Sequence, residues 1–509
     1  MLFLQELNKA GKQFDTTFDL AAFCYDFMLR FIQGKEAVFL GTYIYENEKA
    51  KENNPNIKQL VQFSDTIVKI LEKQFKEALR LEKCLEEIEK SIADIAKGLR
   101  TFGTKEENEL TIPYFILLAI DRYVKGKTYS EVKALNEVYS DRTYIYLKNG
   151  NTILETAAKS NEFPEPISDN SIKNNFDNLI FLNKEICVGK EAPAVVSLYI
   201  DKEDKKRQEI LKGKKLKIAV IPFGKQKMLK FPVEKGGIFT VEYEEEHMQN
   251  GADRALRLLE AAIDKKANII VFPEFVCNQQ IQEAIQKKIE ELYRTDEKRM
   301  QNLLLVIAGT RWSNDNNNVC FLYGYDGRLL GKQYKTVSFS DTKSPKENLM
   351  EGLQNPGKET TFVDIDGIGR VMIGICKDVC TGDYTKQLAA TFCPQLLFVP
   401  AWSRSIKRGF SEQLREITVK NHETCSVMCN CCEAMNDEID KNFRETIGLV
   451  VTPNKTGTVI IGKEREIKRK EAKCMQCDEK GCLFMLSLNF EAETVKNGQI
   501  VRKIEQIIP

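Results

Sequence analysis

The sequence has only two histidines, His247 and His422, in 509 residues. A Ser-His-Asp arrangement or a multi-histidine metal centre is therefore hard to assemble, and the scarcity points toward carboxylate and lysine chemistry. A dominant charge is also lacking: 75 Lys and Arg face 74 Asp and Glu, leaving a formal net charge of +1. No global field draws the molecule onto nucleic acid or an anionic membrane. Long apolar runs are missing, since no stretch approaches the roughly 18 residues that mark a membrane span. The opening MLFLQELNKAGKQFD lacks the basic start and apolar run of a secretory leader. A cytoplasmic protein with no membrane partner is expected.

Cysteine, by contrast, is abundant. The fifteen cysteines are scattered without a secretory signal, which favours reduced thiols over a disulfide framework. In KCMQCDEKGC only Cys474 and Cys477 have zinc-ligand spacing. Cys482, Cys429, Cys431 and Cys432 supply no second pair at the usual distance, so no metal is expected, and CDEKG is placed at the tip of a final hairpin.

A prior of roughly 100–200 residues per domain divides the chain into two or three units. The first, residues 1–160, reads as helical: Leu60, Phe63, Ile67, Ile70 and Leu71 recur at helical spacing, and LEKCLEEIEKSIADIAKGL follows with its Glu and Lys pairs. Within it, 111–158 suggests a helix ending at Gly126 and a helix-turn-helix, with Thr128 to Asn136 as first helix and Asp141 to Asn149 as reader. That reader offers only Arg142 and Lys148 to phosphates, so packing is favoured over nucleic-acid binding. Residues 161–214 read as a connector with one strand, AVVSLYI, and a solvated charge run, DKEDKKRQEILKGKKLK.

From Lys215 the texture changes. Short apolar runs such as LKIAVIPF, ANIIVFPEF, LLLVIAGT, RVMIGIC and QLLFVPA alternate with helical segments, which indicates an α/β layered domain over 215–495, followed by a tail at 496–509. Glu274, Lys335, Glu351 and Cys376 fall at strand ends or in the loops just after them, where α/β folds gather their sites. Singly, each has an ordinary explanation: a helix cap, a surface lysine, a solvated glutamate, a buried thiol.

Together, VFPEF, NNVCFLYGYDGRLLGKQYK, MEGLQNPG and GICKDVC resemble, in order and spacing, the motifs of the nitrilase-like carbon-nitrogen hydrolases. QLAATFCPQLLFVPAWS, VKNHETCSVMCNCC and GLVVTPNKTGTV extend the likeness over about 275 residues. The resemblance implies a four-layer α-β-β-α sandwich for the C-terminal domain, which here follows the mainly α-helical N-terminal domain. It implies Cys376 as nucleophile, Glu274 as base, Lys335 and the Lys377 N–H as oxyanion donors, and Glu351 orienting the lysine. It implies no cofactor, a small-molecule amide or nitrile substrate, and a homodimer or larger homo-oligomer. Trp402 and Ser403 become pocket-wall residues by position.

The chain departs from the pattern at Lys377, where Tyr is common, at Lys420-Asn421, and in the inserted segment KQKMLKFPVEKGGIFTVEYEEE. The Lys377 side chain is read as facing solvent more than as holding an acidic substrate. The alternative function is a sensor or scaffold of the same fold, its helical module binding a partner or nucleic acid in a bacterial defence or regulatory system.

Overall fold

The computed structural model describes residues 2–14, 16–31, 55–77, 81–98, 105–125, 127, 142–148, 176, 178–187, 189–212, 215–224, 228–234, 236–248, 250–341, 349–365, 367–403, 406–421, 424–432, 446–456, 459–468, 483–489 and 501–507. It divides into two units, one of Met1–Gly150 and Pro164–Val188 and the other of Asn151–Phe163 and Gly189–Pro509. Among the described residues, no helix is long and apolar enough to cross a membrane.

The first unit is mainly helical, with α1 (Leu2–Ala10), α2 (Thr17–Phe31), α3 (Pro55–Glu77), α4 (Leu81–Gly98) and α5 (Lys105–Tyr123). The apolar stripe expected on α3 is buried at Leu60, Phe63, Ile67, Ile70 and Leu71, and it shares one core with Leu85, Ile88 and Ile92 of α4. The unit also holds a two-stranded antiparallel sheet, β1 (Thr143–Leu147) with β2 (Leu179–Asn183).

This sheet corrects the helix-turn-helix expectation, because the reader helix is instead β1. The run Thr-Tyr-Ile-Tyr is β-branched and aromatic, which suits a strand, and it finds the apolar partner Leu-Ile-Phe-Leu in the segment taken as connector. The Thr143 hydroxyl donates to Asp26 of α2 at 2.6 Å. The buried Asp121 carboxylate of α5 accepts the N–H groups of Asn178 and Leu179 at 2.7 and 2.9 Å. The segment Thr128 to Asn136 lies outside the described residues.

The second unit is α/β. In chain order its strands are β3 (Ala194–Leu198), β4 (Lys215–Val220), β5 (Leu229–Lys230), β6 (Ile238–Phe239), β7 (Glu242–Tyr243), β8 (Ile269–Val271), β9 (Leu305–Trp312), β10 (Asn318–Gly324), β11 (Leu329–Tyr334), β12 (Ser340–Asp341), β13 (Leu349–Glu351), β14 (Thr361–Ile365), β15 (Gly369–Ile373), β16 (Leu396–Ala401), β17 (Cys425–Asn430), β18 (Thr446–Thr456), β19 (Val459–Lys468), β20 (Leu483–Asn489) and β21 (Val501–Ile507). Two seven-stranded sheets result, ordered β11-β10-β9-β8-β4-β20-β21 and β19-β18-β17-β16-β15-β14-β3. Each has three parallel strands at its middle, β4-β8-β9 and β15-β16-β17, with antiparallel neighbours outside. Those middle strands are the almost wholly apolar runs of the sequence, as expected for parallel strands covered on both faces.

Helices α7 (Gly251–Asp264) and α8 (Gln279–Thr295) bury Ala255, Leu258, Leu259 and Ala262, and Ile281, Ile285, Ile289 and Leu292, in a core shared with Ala219, Ile270 and Val306 of the first sheet. The two sheets meet through Thr361 Oγ1 donating to Lys332 O at 2.9 Å and Cys429 Sγ to Ile221 O at 3.4 Å.

Two further expectations change. Residues 501–507 of the expected tail form β21, whose backbone satisfies the otherwise open edge of β20. CDEKG lies outside the described residues. The charge run is not wholly solvated. It contains α6 (Lys205–Lys212), where Arg207 is 2% exposed. Its guanidinium pairs with Asp204, donates to Leu303 O and Met300 O at 3.0 and 2.8 Å, and lies 4.0 Å from the Tyr325 ring centroid. The strand expected in the connector is β3, which joins the second sheet parallel to β14.

Residues 194–212 are thus structural parts of the α/β unit. Arg207→Ala is expected to lower its unfolding free energy by about 2–3 kcal/mol, the scale of hydrogen bonds to a charged group. Urea titration of the full chain would check this, and an unchanged midpoint would show the guanidinium to be dispensable.

Candidate active site

Glu274 follows β8 through Phe272 and Pro273 and is fully buried. The turn is tight. Phe275 has φ +66°, its N–H donates to the Thr310 hydroxyl at 2.8 Å, and the Thr310 N–H donates to Pro273 O at 3.1 Å. Gly309, at φ +64°, is required there, because a Cβ would sit 2.4 Å from Pro273 O.

Lys335 stands just past β11, with its N–H on Asn318 O and its carbonyl accepting from Gly357, both at 2.9 Å. Glu351 ends β13, which pairs with β12 on one side and with β6, from the inserted segment, on the other. Cys376 lies three residues past the end of β15.

The fold brings these four residues together. The Lys335 ammonium lies 2.8 Å from Glu274 Oε1 and 2.7 Å from Glu351 Oε2, and all three side chains are almost entirely buried. The second Glu274 oxygen accepts the Trp402 N–H at 2.8 Å, and the Cys376 thiol lies 3.9 Å from the Trp402 carbonyl. Glu351 Oε2 also accepts the Phe339 N–H at 2.9 Å.

The electrostatics follow from burial. Two carboxylates share one ammonium, leaving an excess negative charge in a dry environment. Desolvation raises the Glu274 pKa and Glu351 adds to the rise, against the pull of Lys335. Desolvation alone would lower Lys335, but the two carboxylates hold it well above its ordinary value. Burial, helped by Glu274, pushes the Cys376 thiol well up, while Lys335 opposes. The resting state is therefore a neutral thiol beside a charged lysine, and a base must act before the sulfur can attack.

Cys376 has φ +48°, an uncommon conformation for a side-chain-bearing residue and one that costs about 1–3 kcal/mol. Its N–H donates to Pro400 O at 2.9 Å. The buried Asp378 carboxylate gathers the rest of the turn, accepting the N–H groups of Ile375, Thr336 and Val337 at 3.0, 2.9 and 2.9 Å. One side chain thus ties the thiol-bearing turn to the loop leaving Lys335. Among the described residues, the Lys377 N–H makes no hydrogen bond, which leaves it open beside the thiol.

The remaining expected residues are less central. The Lys377 ammonium bonds to Ser340 Oγ and O at 3.0 and 3.3 Å and sits 5.4 Å from the Phe339 ring centroid. The Ser403 backbone is clamped by Asn430, at 2.8 Å through its N–H and 2.9 Å through its carbonyl.

Sequence reasoning assigned no role to Asn318 or Asp378. Asn318 Nδ2 bridges Glu274 Oε1 at 2.8 Å and Glu351 Oε1 at 3.3 Å. Both residues stand inside the quoted strings NNVCFLYGYDGR and GICKDVC, but only the folded geometry says what they touch. Among the described residues, no group of three or more His, Cys, Asp or Glu is placed to hold a metal. Cys474, Cys477 and Cys482 lie outside those residues.

The C-terminal unit therefore carries a buried thiol, ammonium and carboxylate cluster at the strand ends of an α/β fold. Among the solved structures similar to this chain are members of the nitrilase superfamily. They include Saccharomyces cerevisiae Nit3, a member of branch 10 of that superfamily, at 15% identity over 56% of this chain and 92% of that one, with a TM-score of 0.32. The C. elegans NitFhit protein matches at 17% identity over 55% of this chain and 63% of that one, with a TM-score of 0.35. An amidase from Nesterenkonia sp. matches at 13% identity over 54% and 91%, with a TM-score of 0.32. No protein-family model and no curated protein matches the sequence. Nothing about the chemistry follows from overlaps of this extent; it rests on the side chains themselves.

Asp378 gives a test by pH. Burial pushes its carboxyl up to about 7, against Lys335 and its N–H partners. A raised carboxyl holds a proton in the folded state that the unfolded chain releases near 4, so its contribution favours folding at low pH and is lost as pH rises through about 7. Glu274 shifts in the same direction. The melting temperature is expected to fall as pH is raised from about 4 to 7, and Asp378→Asn to flatten that slope. An identical slope in the variant would remove Asp378 from the account.

Proposed function

We propose that the chain is a thiol-dependent hydrolase that cleaves a non-peptide carbon-nitrogen bond in a small molecule. The observation that carries this reading is the Lys335 ammonium held between Glu274 and Glu351, with Cys376 on the elbow beside them. The motif resemblance supports an amide over a nitrile, because most branches of the resembled family cleave amides.

In this reaction Glu274 takes the Cys376 proton as the sulfur attacks the carbonyl carbon. The Lys335 ammonium and the Lys377 N–H receive the negative charge that develops on oxygen. When the intermediate collapses, the carbon-nitrogen bond breaks and the Glu274 proton passes to the leaving nitrogen. Ammonia or an amine departs, and a thioester remains on Cys376. Glu274 then takes a proton from an attacking water, the carbon-sulfur bond breaks, and the proton returns to the thiolate. Glu351 accepts throughout from the lysine that it orients, and Asn318 holds both carboxylates in place.

Ammonia release from a panel of amides, with mass spectrometry of the acyl adduct, tests the proposal. Cys376→Ala is expected to abolish turnover and adduct together, and Lys335→Ala to lower kcat by about 10²–10³, the effect of losing one oxyanion donor. The base must be ionised, so kcat/KM is expected to fall with decreasing pH along a limb lying above the ordinary glutamate value of about 4.3, as burial of Glu274 requires. Inactivity across the panel, with Cys376 inert to iodoacetamide, would sink the hydrolase and favour a sensor or scaffold.

A further inference from the structure

A row of aromatic rings in mutual contact runs from Trp402, beside the thiol, to the surface. Trp402, whose backbone touches both Glu274 and Cys376, has its ring 6.5 Å from Phe275 and 6.2 Å from Phe231. Phe231 lies 5.9 Å from Phe239, and Phe239 lies 6.3 Å from Phe339, which is 40% exposed. At the same rim Met350, 46% exposed, pairs with Ile238 beside Phe239.

Two rings of this path, Phe231 and Phe239, come from the inserted segment at 225–246. Its strand β6 also pins β13, since the Met350 N–H donates to Gly237 O at 2.8 Å and the Gly352 N–H to Phe239 O at 2.9 Å. The insertion therefore holds Glu351 in place and supplies part of the wall next to it. Within that wall the Trp402 Nε1 donor is buried without a protein acceptor, an arrangement that suits a ligand placing one acceptor against an otherwise apolar surface.

We propose that this path is the acyl-side subsite, and that the substrate is an amide with an apolar or aryl acyl group. This rests on the hydrolase reading. An acyl group carrying free amino and carboxylate charges, as in glutamine, would lose hydration against these rings, and the two cations beside them, Lys335 over Phe275 and Lys377 over Phe339, already have partners in the two glutamates and Ser340. A phenyl or alkyl chain gains by leaving water, and apolar discrimination in such pockets runs from about 10- to 200-fold.

Binding to the Cys376→Ala protein tests the path without requiring turnover. Calorimetry with phenylacetamide, hexanamide, acetamide and glutamine is expected to rank the first two at least about tenfold tighter than acetamide. Phe339→Ala and the conservative Phe231→Leu are both expected to shrink that ratio. Ammonia release by the wild-type protein forms the second arm. Preferred binding and cleavage of the apolar amides supports both proposals. Preferred binding without any cleavage supports the aromatic path and counts against the hydrolase. Cleavage that favours glutamine or acetamide overturns the path and leaves the hydrolase standing. Equal or undetectable binding of all four amides overturns the path.

Discussion

One buried ammonium between two buried carboxylates sets the terms for the rest of the second unit. Moving each ion out of water costs several kcal/mol, recovered only if geometry is close and the remaining lone pairs are met. Here they are met by the backbone N–H groups of Trp402 and Phe339 and by the Asn318 amide. These donors come from the loop after β16, the segment before β12 and the start of β10, so the charge cluster exists only when both seven-stranded sheets are assembled. Breaking one arm would leave an uncompensated charge in the interior, which is why the surrounding backbone is held so firmly.

The strained turn at Cys376 has the same logic. A left-handed conformation at a cysteine is maintained only where neighbours over-determine it. Asp378 does so by collecting N–H groups from the turn and from the loop beyond Lys335, so that thiol and lysine are positioned by a single carboxylate. Among the described residues the Lys377 N–H on that turn makes no hydrogen bond, which is the condition the proposed oxyanion role requires.

The helical unit obeys simpler rules. Its helices bury apolar stripes against one another, and its small sheet is anchored to two of them by Asp26 and Asp121. With β1 a strand in place of the reader helix, what the described residues give this unit is a packing core.

The sequence by itself determined what depends on neighbours along the chain. The amphipathic stripe of α3, the charge-paired helix α4, the apolar strands at the centre of each sheet, and the placement of Glu274, Lys335, Glu351 and Cys376 at strand ends were all legible, because periodicity and turn residues act locally. The tertiary structure decided what depends on distant segments: that Asn318 bridges two carboxylates, that Asp378 joins two loops, and that the insertion pairs with the strand carrying Glu351. It also decided that Thr143–Leu147 is a strand, that residues 501–507 close a sheet edge and that Arg207 is buried. In each case the deciding partner lies far away in sequence, and hydrogen bonds and burial between distant segments leave no periodic signature within either one.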